Sequence, residues 1–336
     1  MGDFPSWWAS LSAPRQSELC AEYAAVLEQD GLTVYHSDED RFLPIPAVLS
    51  PEVIEESALA ELGRGAHRLL AAAVKLARYS LSAPGARLAE QLYTSITPLE
   101  LTCLGRDPAR LARVATARVD CFMAGNGVAR VLELNATIPA MQGYSDIIAR
   151  RFIELVARER GLPVDAATRL VAKTGSNTID LLTALVLHYR ADGGIAERPS
   201  ILIVSRRGDS QLGELRYYER RFNAEGHRTR LVFADEVEIG AEGRMRAHGE
   251  PFDLLYRHIF ARRVDPTSAL AQLLLEPGPN VVLNPVVSPL EVKGLLAILH
   301  EAVEGEKLAP EFGLDAEERA TIGALVPWPR ILRHSE

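Results

Sequence analysis

Apolar residues recur at helical spacing through most of the first half of the chain, and one short stretch interrupts them with strict alternation. Leu11, Leu19, Tyr23, Val26 and Leu27 share a face of a helix over residues 5–30 that Gly31 stops, and Trp7 and Trp8 are expected to cover its core. A loop through Asp38, Glu39 and Asp40 and three prolines, Pro44, Pro46 and Pro51, lead to a second stripe. There Ile54, Leu59, Leu62, Leu69, Leu70, Val74 and Leu76 predict a long helix over 54–80, and a shorter one follows over 86–93 after Gly85. Asp107 as N-cap with Pro108 in the first turn predicts a helical segment over 107–115. Residues 145–160 read as a helix that Gly161, Leu162 and Pro163 end. Lys173–Asn177 then leads into a helix over 178–191, either as an anion-holding start or with Ser176 or Asn177 as a cap. It lacks the spacing of a P-loop.

The alternating stretch is Ala117–Met123 and Val128–Asn135, joined by Gly125 and Asn126, which is the signature of a β-hairpin. A two-residue turn would set Asp120 opposite Val131 and Arg118 opposite Glu133. Val119, Cys121, Met123, Val128, Leu132 and Leu134 would then pack on a core, while Arg118, Asp120, Phe122, Val131, Glu133 and Asn135 share the other face. Two carboxylates and an amide on one face are oxygen donors of the kind that hold Mg²⁺, and strand period two points Glu133 and Asn135 the same way. The same residues also read as a solvated face with an ion pair worth about 1 kcal/mol at most. Just beyond, Gln142–Asp146 places an amide, a hydroxyl and a carboxylate at a helix start, where Ser145 or Asp146 either caps the helix or faces a substrate.

After Asp192, Gly193 and Gly194 the periodicity changes, and a boundary is expected near residue 195, dividing the chain into 1–195 and 196–336. Ile201–Val204 is a continuous apolar strand of the buried, parallel kind. Helix 211–225, strand 229–234, a loop or hairpin over 236–250, strand 253–258, helix 266–275, strand 280–283 and helix 289–303 follow. Alternating strands and helices predict an open α/β sheet with ligands at the carboxyl ends of its strands. Those ends carry Arg206, Arg207, Gly208, Asp209 and Ser210, then Tyr256, Arg257 and His258, then Asn284 and Pro285.

The composition narrows the partners. A net charge of −8 and a pI near 5.6 argue against a nucleic-acid or anionic-membrane surface. Cys20, Cys103 and Cys121 are odd in number and unpatterned, so a reducing, cytoplasmic location is expected. No segment has the length or apolarity of an export signal or a membrane span, and the match of the first residues to Met-Gly-x-x-x-Ser has nothing basic beside it. No Gly-x-Gly-x-x-Gly follows the first strand after residue 195, which argues against a Rossmann-type redox enzyme.

Arg118-x-Asp120, the turn, Leu132–Glu133–Leu134–Asn135, Pro139 and Gln142–Gly143–Tyr144–Ser145–Asp146 together resemble the catalytic signature of circularly permuted ATP-grasp proteins, a group that includes glutathionylspermidine synthase-like ligases. Arg207–Gly208–Asp209, Asp253–Leu254–Leu255–Tyr256–Arg257 and Lys293 resemble that family's pre-ATP-grasp domain. The implied fold class is α/β: an α+β N-terminal half with a catalytic hairpin, then an open α/β pre-ATP-grasp-like domain. The resemblance implies Asp120, Glu133 and Asn135 as ligands of Mg²⁺ ions that bridge ATP phosphates, and Arg118 as the stabiliser of charge on the transferred phosphoryl group. It implies substrate contacts from Gln142, Tyr144, Ser145, Asp146, Arg207, Asp209, Ser210, Tyr256 and Arg257. The implied activity is that of a carboxylate–amine ligase acting on small carboxylate and amine substrates through an acyl phosphate. In that family a lysine- and glycine-rich ATP clamp follows the α/β domain; here Leu325–Arg330 resembles its lead-in, and the sequence given ends at Glu336. Three expectations stand side by side: a fragment of a longer ligase, one half of a split enzyme whose partner chain carries the clamp, or a non-catalytic relative that holds a small peptide or amine or docks an ATP-binding chain.

Overall fold

The computed structural model describes residues 4–51, 54–123, 128–305 and 311–327. In chain order it contains helices α1 (Phe4–Ser10) and α2 (Ala13–Gln29), strands β1 (Thr33–His36) and β2 (Arg41–Pro44), and helices α3 (Glu56–Ser80), α4 (Ala86–Leu92) and α5 (Pro98–Arg106). A 3-10 turn, Pro108–Ala112, precedes strands β3 (Arg118–Met123) and β4 (Ala129–Asn135) and helices α6 (Gln142–Glu159), α7 (Val164–Thr174) and α8 (Asn177–Ala191). Next come β5 (Ile201–Ser205), α9 (Leu212–Ala224), β6 (Thr229–Phe233), β7 (Val237–Ile239), β8 (Met245–Ala247), β9 (Glu250–Pro251) and β10 (Leu254–His258). Helix α10 (Ala269–Leu275), β11 (Val281–Leu283), α11 (Lys293–Gly305) and α12 (Ala316–Leu325) complete the series. The fold is α/β, as the alternation of strands and helices predicts. Its main sheet runs in the order β11, β10, β5, β6, and β10 lies parallel to both β5 and β11.

The chain groups into two compact units, each drawing on residues from both sides of position 195. The first comprises residues 1–53, 140–183 and 207–231. Its core joins Leu19, Tyr23 and Leu27 of α2 to Tyr144, Ile147 and Phe152 of α6, with Trp7 and Trp8 packed half-buried against it. Asp30 ties the end of α2 to α6 by accepting from Nε and Nη2 of Arg151, both at 2.7 Å. Burial alone would raise the Asp30 carboxyl, but Arg151 and Arg150 together hold it below the ordinary carboxylate range.

The second unit comprises residues 54–139, 184–206 and 232–336. Its core lies where Leu69, Ala73 and Leu76 of α3 meet sheet residues such as Leu202 and Leu255, the apolar faces of α10 and α11, and Val131 and Leu134 of β4.

Several elements depart from their expected bounds for local reasons. The helix over 5–30 is two helices, because Ser12 accepts from the backbone N of Arg15 at 3.4 Å and starts a new one with Pro14 in its first turn. The region around Asp38–Asp40 is a hairpin, β1 and β2, with the Tyr35 and Phe42 rings 5.1 Å apart. Pro163 both follows α6 and occupies the N-cap position of α7, a helix not among the expected ones. The expected helix over 107–115 is only a 3-10 turn: Asp107 accepts from Ala109 N as predicted, but Ala115 N and Thr116 N donate to Asn284 instead of continuing a helix.

Candidate functional site

Strands β3 and β4 pair antiparallel, as the alternation predicts, while the expected turn residues Gly125 and Asn126 lie outside the described residues. The register differs from the expected one. Arg118 lies opposite Asn135 and Asp120 opposite Glu133, in place of the expected Arg118–Glu133 and Asp120–Val131 pairs. Between Asp120 and Cys121 the register shifts by one residue, so that Leu132 is extra on β4 and Cys121 faces Val131. The consequence follows from strand period two: on β4 the residues toward the turn exchange faces. Val131 and Ala129 are buried, whereas Leu132 and Met123, expected in the core, are about half exposed along with Phe122, and Cys121 is exposed.

The polar set nonetheless stays together, because it lies on the near side of the bulge. Arg118 donates to Asp120 in a two-pronged contact, Nε to Oδ1 at 2.6 Å and Nη2 to Oδ2 at 3.2 Å. Asn135 Nδ2 lies 3.5 Å from Glu133 Oε1. Lys293, the first residue of α11, places Nζ 2.9 Å from Glu133 Oε2. Two carboxylates that face each other across a strand pair thus each carry a cation.

The roots of the hairpin are clamped by the segment after β11. Asn284 Oδ1 accepts from Ala115 N at 2.8 Å and Thr116 N at 3.3 Å, and its Nδ2 donates to Thr116 O at 2.7 Å and Ala136 O at 2.5 Å. A single buried amide therefore bonds the backbone ahead of β3 and the backbone after β4. Glu291 Oε1 accepts from Ala136 N at 2.8 Å and Thr137 N at 2.6 Å, fixing the exit of β4. Arg257 supports Asn284 from below: Nε donates to Asn284 O at 3.1 Å and Nη2 to Pro285 O at 2.7 Å. Its guanidinium is fully buried among carbonyls, and burial lowers its pKa to about 10. Tyr256 is fully buried beside it.

The other expected substrate residues belong to the first unit. Gln142 Oε1 lies 2.8 Å from the Tyr218 hydroxyl oxygen, whose proton goes to Glu214. Tyr144 is buried and donates to Thr33 O at 2.5 Å while accepting from Glu214 N at 3.0 Å. Ser145 donates to Gln142 O at 2.9 Å and accepts from Asn177 Nδ2 at the same distance. Asp146 caps α8 by accepting from Asn177 N at 2.8 Å, Thr178 N at 3.0 Å and the Ser176 hydroxyl at 2.6 Å. Asp209 is buried and turns the chain by accepting from Gln211 N at 2.9 Å, the Ser210 carbonyl accepts from Tyr35 N at 3.0 Å, and Arg207 is exposed.

One carboxylate organises the start of α6, three residues earlier than its expected beginning. Glu214 accepts from Met141 N at 3.0 Å, Gly143 N at 2.9 Å and the Tyr218 hydroxyl at 2.7 Å. Gly143 is needed here, since a Cβ would stand 2.8 Å from the Tyr217 ring and 3.1 Å from the Tyr218 ring. Met141, just ahead, sits at φ 85° in the left-handed region. Burial raises the Glu214 carboxyl above its usual range, although Met141, Tyr218 and Gly143 all donate to it.

Among the residues that shape the hairpin, Asn284 is expected at a strand's carboxyl end and Lys293 within the pre-ATP-grasp resemblance, but none of Asn284, Glu291 and Lys293 is expected to contact the hairpin. Asn284 gave a signal, a polar residue at the end of a predicted strand, and Lys293 another, as one of only four lysines in the chain. Glu291 gave none, because a glutamate near the start of a helix is ordinary.

The hairpin face suits a hard cation in donor chemistry, with Asp120 and Glu133 opposed and the Asn135 amide beside them. Among the described residues, no three His, Cys, Asp or Glu side chains gather as a metal-holding group, so such a cation would keep ligands from outside this set.

The chain matches no protein-family model and no curated protein sequence. Its structure resembles that of a glutathione synthetase-like effector from Globodera pallida, solved in its apo form, with a TM-score of 0.61 at 11% sequence identity. The alignment covers 94% of this chain and 71% of that one. At this identity the likeness is one of fold alone.

Proposed function

We propose that this chain is an ATP-grasp-type carboxylate–amine ligase of the circularly permuted lineage, or the catalytic half of one whose ATP clamp resides on a separate chain. The observation that supports it most is the juxtaposition of Asp120 and Glu133 as cross-strand partners, with Arg118 on one and Lys293 on the other. Asp120, Glu133 and Asn135 would hold Mg²⁺, which supplies charge neutralisation to ATP phosphates. In the reaction a substrate carboxylate oxygen attacks the γ-phosphorus and ADP leaves. An amine then attacks the acyl carbon of the resulting acyl phosphate, and inorganic phosphate departs as the amide forms. Arg118, fixed on the same face, stabilises negative charge on the phosphoryl group in transit, so the protein contributes mainly position and electrostatics.

Calorimetric titration with Mg·ATP tests the reading, run on the wild type, Asp120→Asn and Glu133→Gln. Saturable binding weakened by either substitution is the expected result, with the far-ultraviolet circular dichroism of the variants unchanged. Ligation in a complemented enzyme should fall by about a hundredfold or more in Glu133→Gln. A fully active Glu133→Gln variant would overturn the assignment. Absence of Mg·ATP binding by the wild type would favour the half-enzyme or a non-catalytic binding chain of the same fold.

A further inference from the structure

A cavity of about 200 Å³ opens in the second unit between α5, the 3-10 turn that follows it, and β11, and none of its lining residues belongs to the hairpin. Most of the surface it exposes is polar, but at its inner end Leu104, Leu273, Leu274 and Val281 line it together with the Cys103 thiol, and all five are buried. Its charged residues are two acids and two bases, Asp107, Arg110, Arg113 and Asp192. They reach water, with side chains between 21% and 52% exposed, so apolar and charged groups are segregated. An arrangement with apolar groups within and charged groups at the mouth suits an amphipathic small molecule.

The charged groups also define the head group. Arg110 meets Asp107 through Nε at 3.3 Å and Arg113 meets Asp192 through Nη1 at 2.8 Å. Guanidinium N–H groups of Arg110 and Arg113 and the second carboxylate oxygen of Asp192 remain available, while Asp107 also accepts from Ala109 N at 3.1 Å, and the set is neutral overall. A net anion or a net cation would meet like charge as well as opposite charge. A zwitterion finds N–H donors for its carboxylate and carboxylate oxygens for its ammonium.

We propose that this cavity is a binding site for a free amino acid with an apolar side chain, with the side chain against the Leu104–Leu273–Leu274 wall and the α-carboxylate and α-ammonium among the four charged residues. The proposal is independent of the metal reading of the hairpin, yet the site is mechanically linked to it. Leu283 and Pro285 line the cavity and flank Asn284, whose side chain holds both hairpin roots, and Arg113 stands two residues before Ala115, one of the amides that Asn284 accepts from. Occupancy therefore steadies the base on which Arg118, Asp120, Glu133 and Asn135 stand.

The test uses the full chain and L-leucine as the probe, with glycine and L-leucinamide as controls lacking the apolar side chain and the carboxylate. L-leucine at about 10 mM should raise Tm by about 1–3 °C, and both controls should shift it by less than half of that. The double variant Arg110→Gln/Arg113→Gln changes only residues that reach water and should weaken binding about tenfold or more. A second readout follows Cys103 in the Cys20→Ser/Cys121→Ser background, where L-leucine should slow alkylation by N-ethylmaleimide. The proposal is overturned if L-leucine, L-valine, L-isoleucine, L-methionine and L-phenylalanine all leave both Tm and the alkylation rate unchanged. It is equally overturned if the effect persists in the Arg110→Gln/Arg113→Gln variant or is matched by glycine.

Discussion

Glu214 is a buried carboxylate that accepts from two backbone amides and the Tyr218 hydroxyl, and its position couples pH to the first unit. Burial raises its pKa in the folded chain above the value it has when unfolded. Its stabilising contribution is therefore complete below the ordinary glutamate range and is lost as pH rises through the raised folded value. Urea midpoints should fall on the alkaline side of that range. In Glu214→Gln that decline should disappear, at a cost near neutrality of about 1–3 kcal/mol, because an amide presents donors to a site built from donors. A Glu214→Gln variant with an unchanged alkaline decline would place the pH dependence elsewhere. At this scale the sequence displayed the polar face of the hairpin plainly, since Arg118, Asp120, Glu133 and Asn135 follow from strand period two. It did not display the burial of Arg257. An arginine at a strand end reads as a ligand contact, and its three carbonyl partners come from Ile259 and from Asn284 and Pro285, distant in sequence.

Among the elements, β4 carries the clearest lesson. The existence of the hairpin was legible, but its register was not, because one extra residue at Leu132 interrupts a pattern whose two sides each look regular. The bulge also makes a sharp prediction about neighbours. Leu132→Lys should change stability by no more than about 0.5 kcal/mol, as befits a half-exposed side chain. Val131→Asp should cost about 3 kcal/mol or more by burying an unpaired charge next to Leu134. Equal costs in thermal unfolding would contradict the shifted register. The same logic explains the 3-10 turn after Asp107: its capping signal was correct, and the tertiary bonds from Asn284 decided how far the helix ran.

For the whole molecule, the two compact units are built from chain segments that alternate along the sequence. The first unit needs α9, because Glu214 bonds the start of α6 and Gly213 packs so closely that a Cβ there would stand 2.6 Å from Thr33 O. A chain ending at residue 195 should therefore fail to form that unit, with rapid proteolysis and no cooperative thermal transition. Adding residues 207–231 to residues 1–53 and 140–183 through a flexible linker should restore one. A well-folded 1–195 chain would show that α9 is dispensable. The described residues contain no helix long and apolar enough to cross a membrane.

By itself, the sequence determined the α/β alternation, the hairpin and the residues on its polar face. Those features rest on local periodicity and capping, which act between residues a few positions apart. Tertiary structure decided the register of that hairpin, the clamp of Asn284 and Glu291 on its roots, the approach of Lys293 to Glu133, and the burial of Glu214 under α6. Each of these joins segments tens to more than a hundred residues apart, and the energy that selects them is that of particular buried donors meeting particular acceptors. No periodicity along the chain records which distant partner will satisfy a given group.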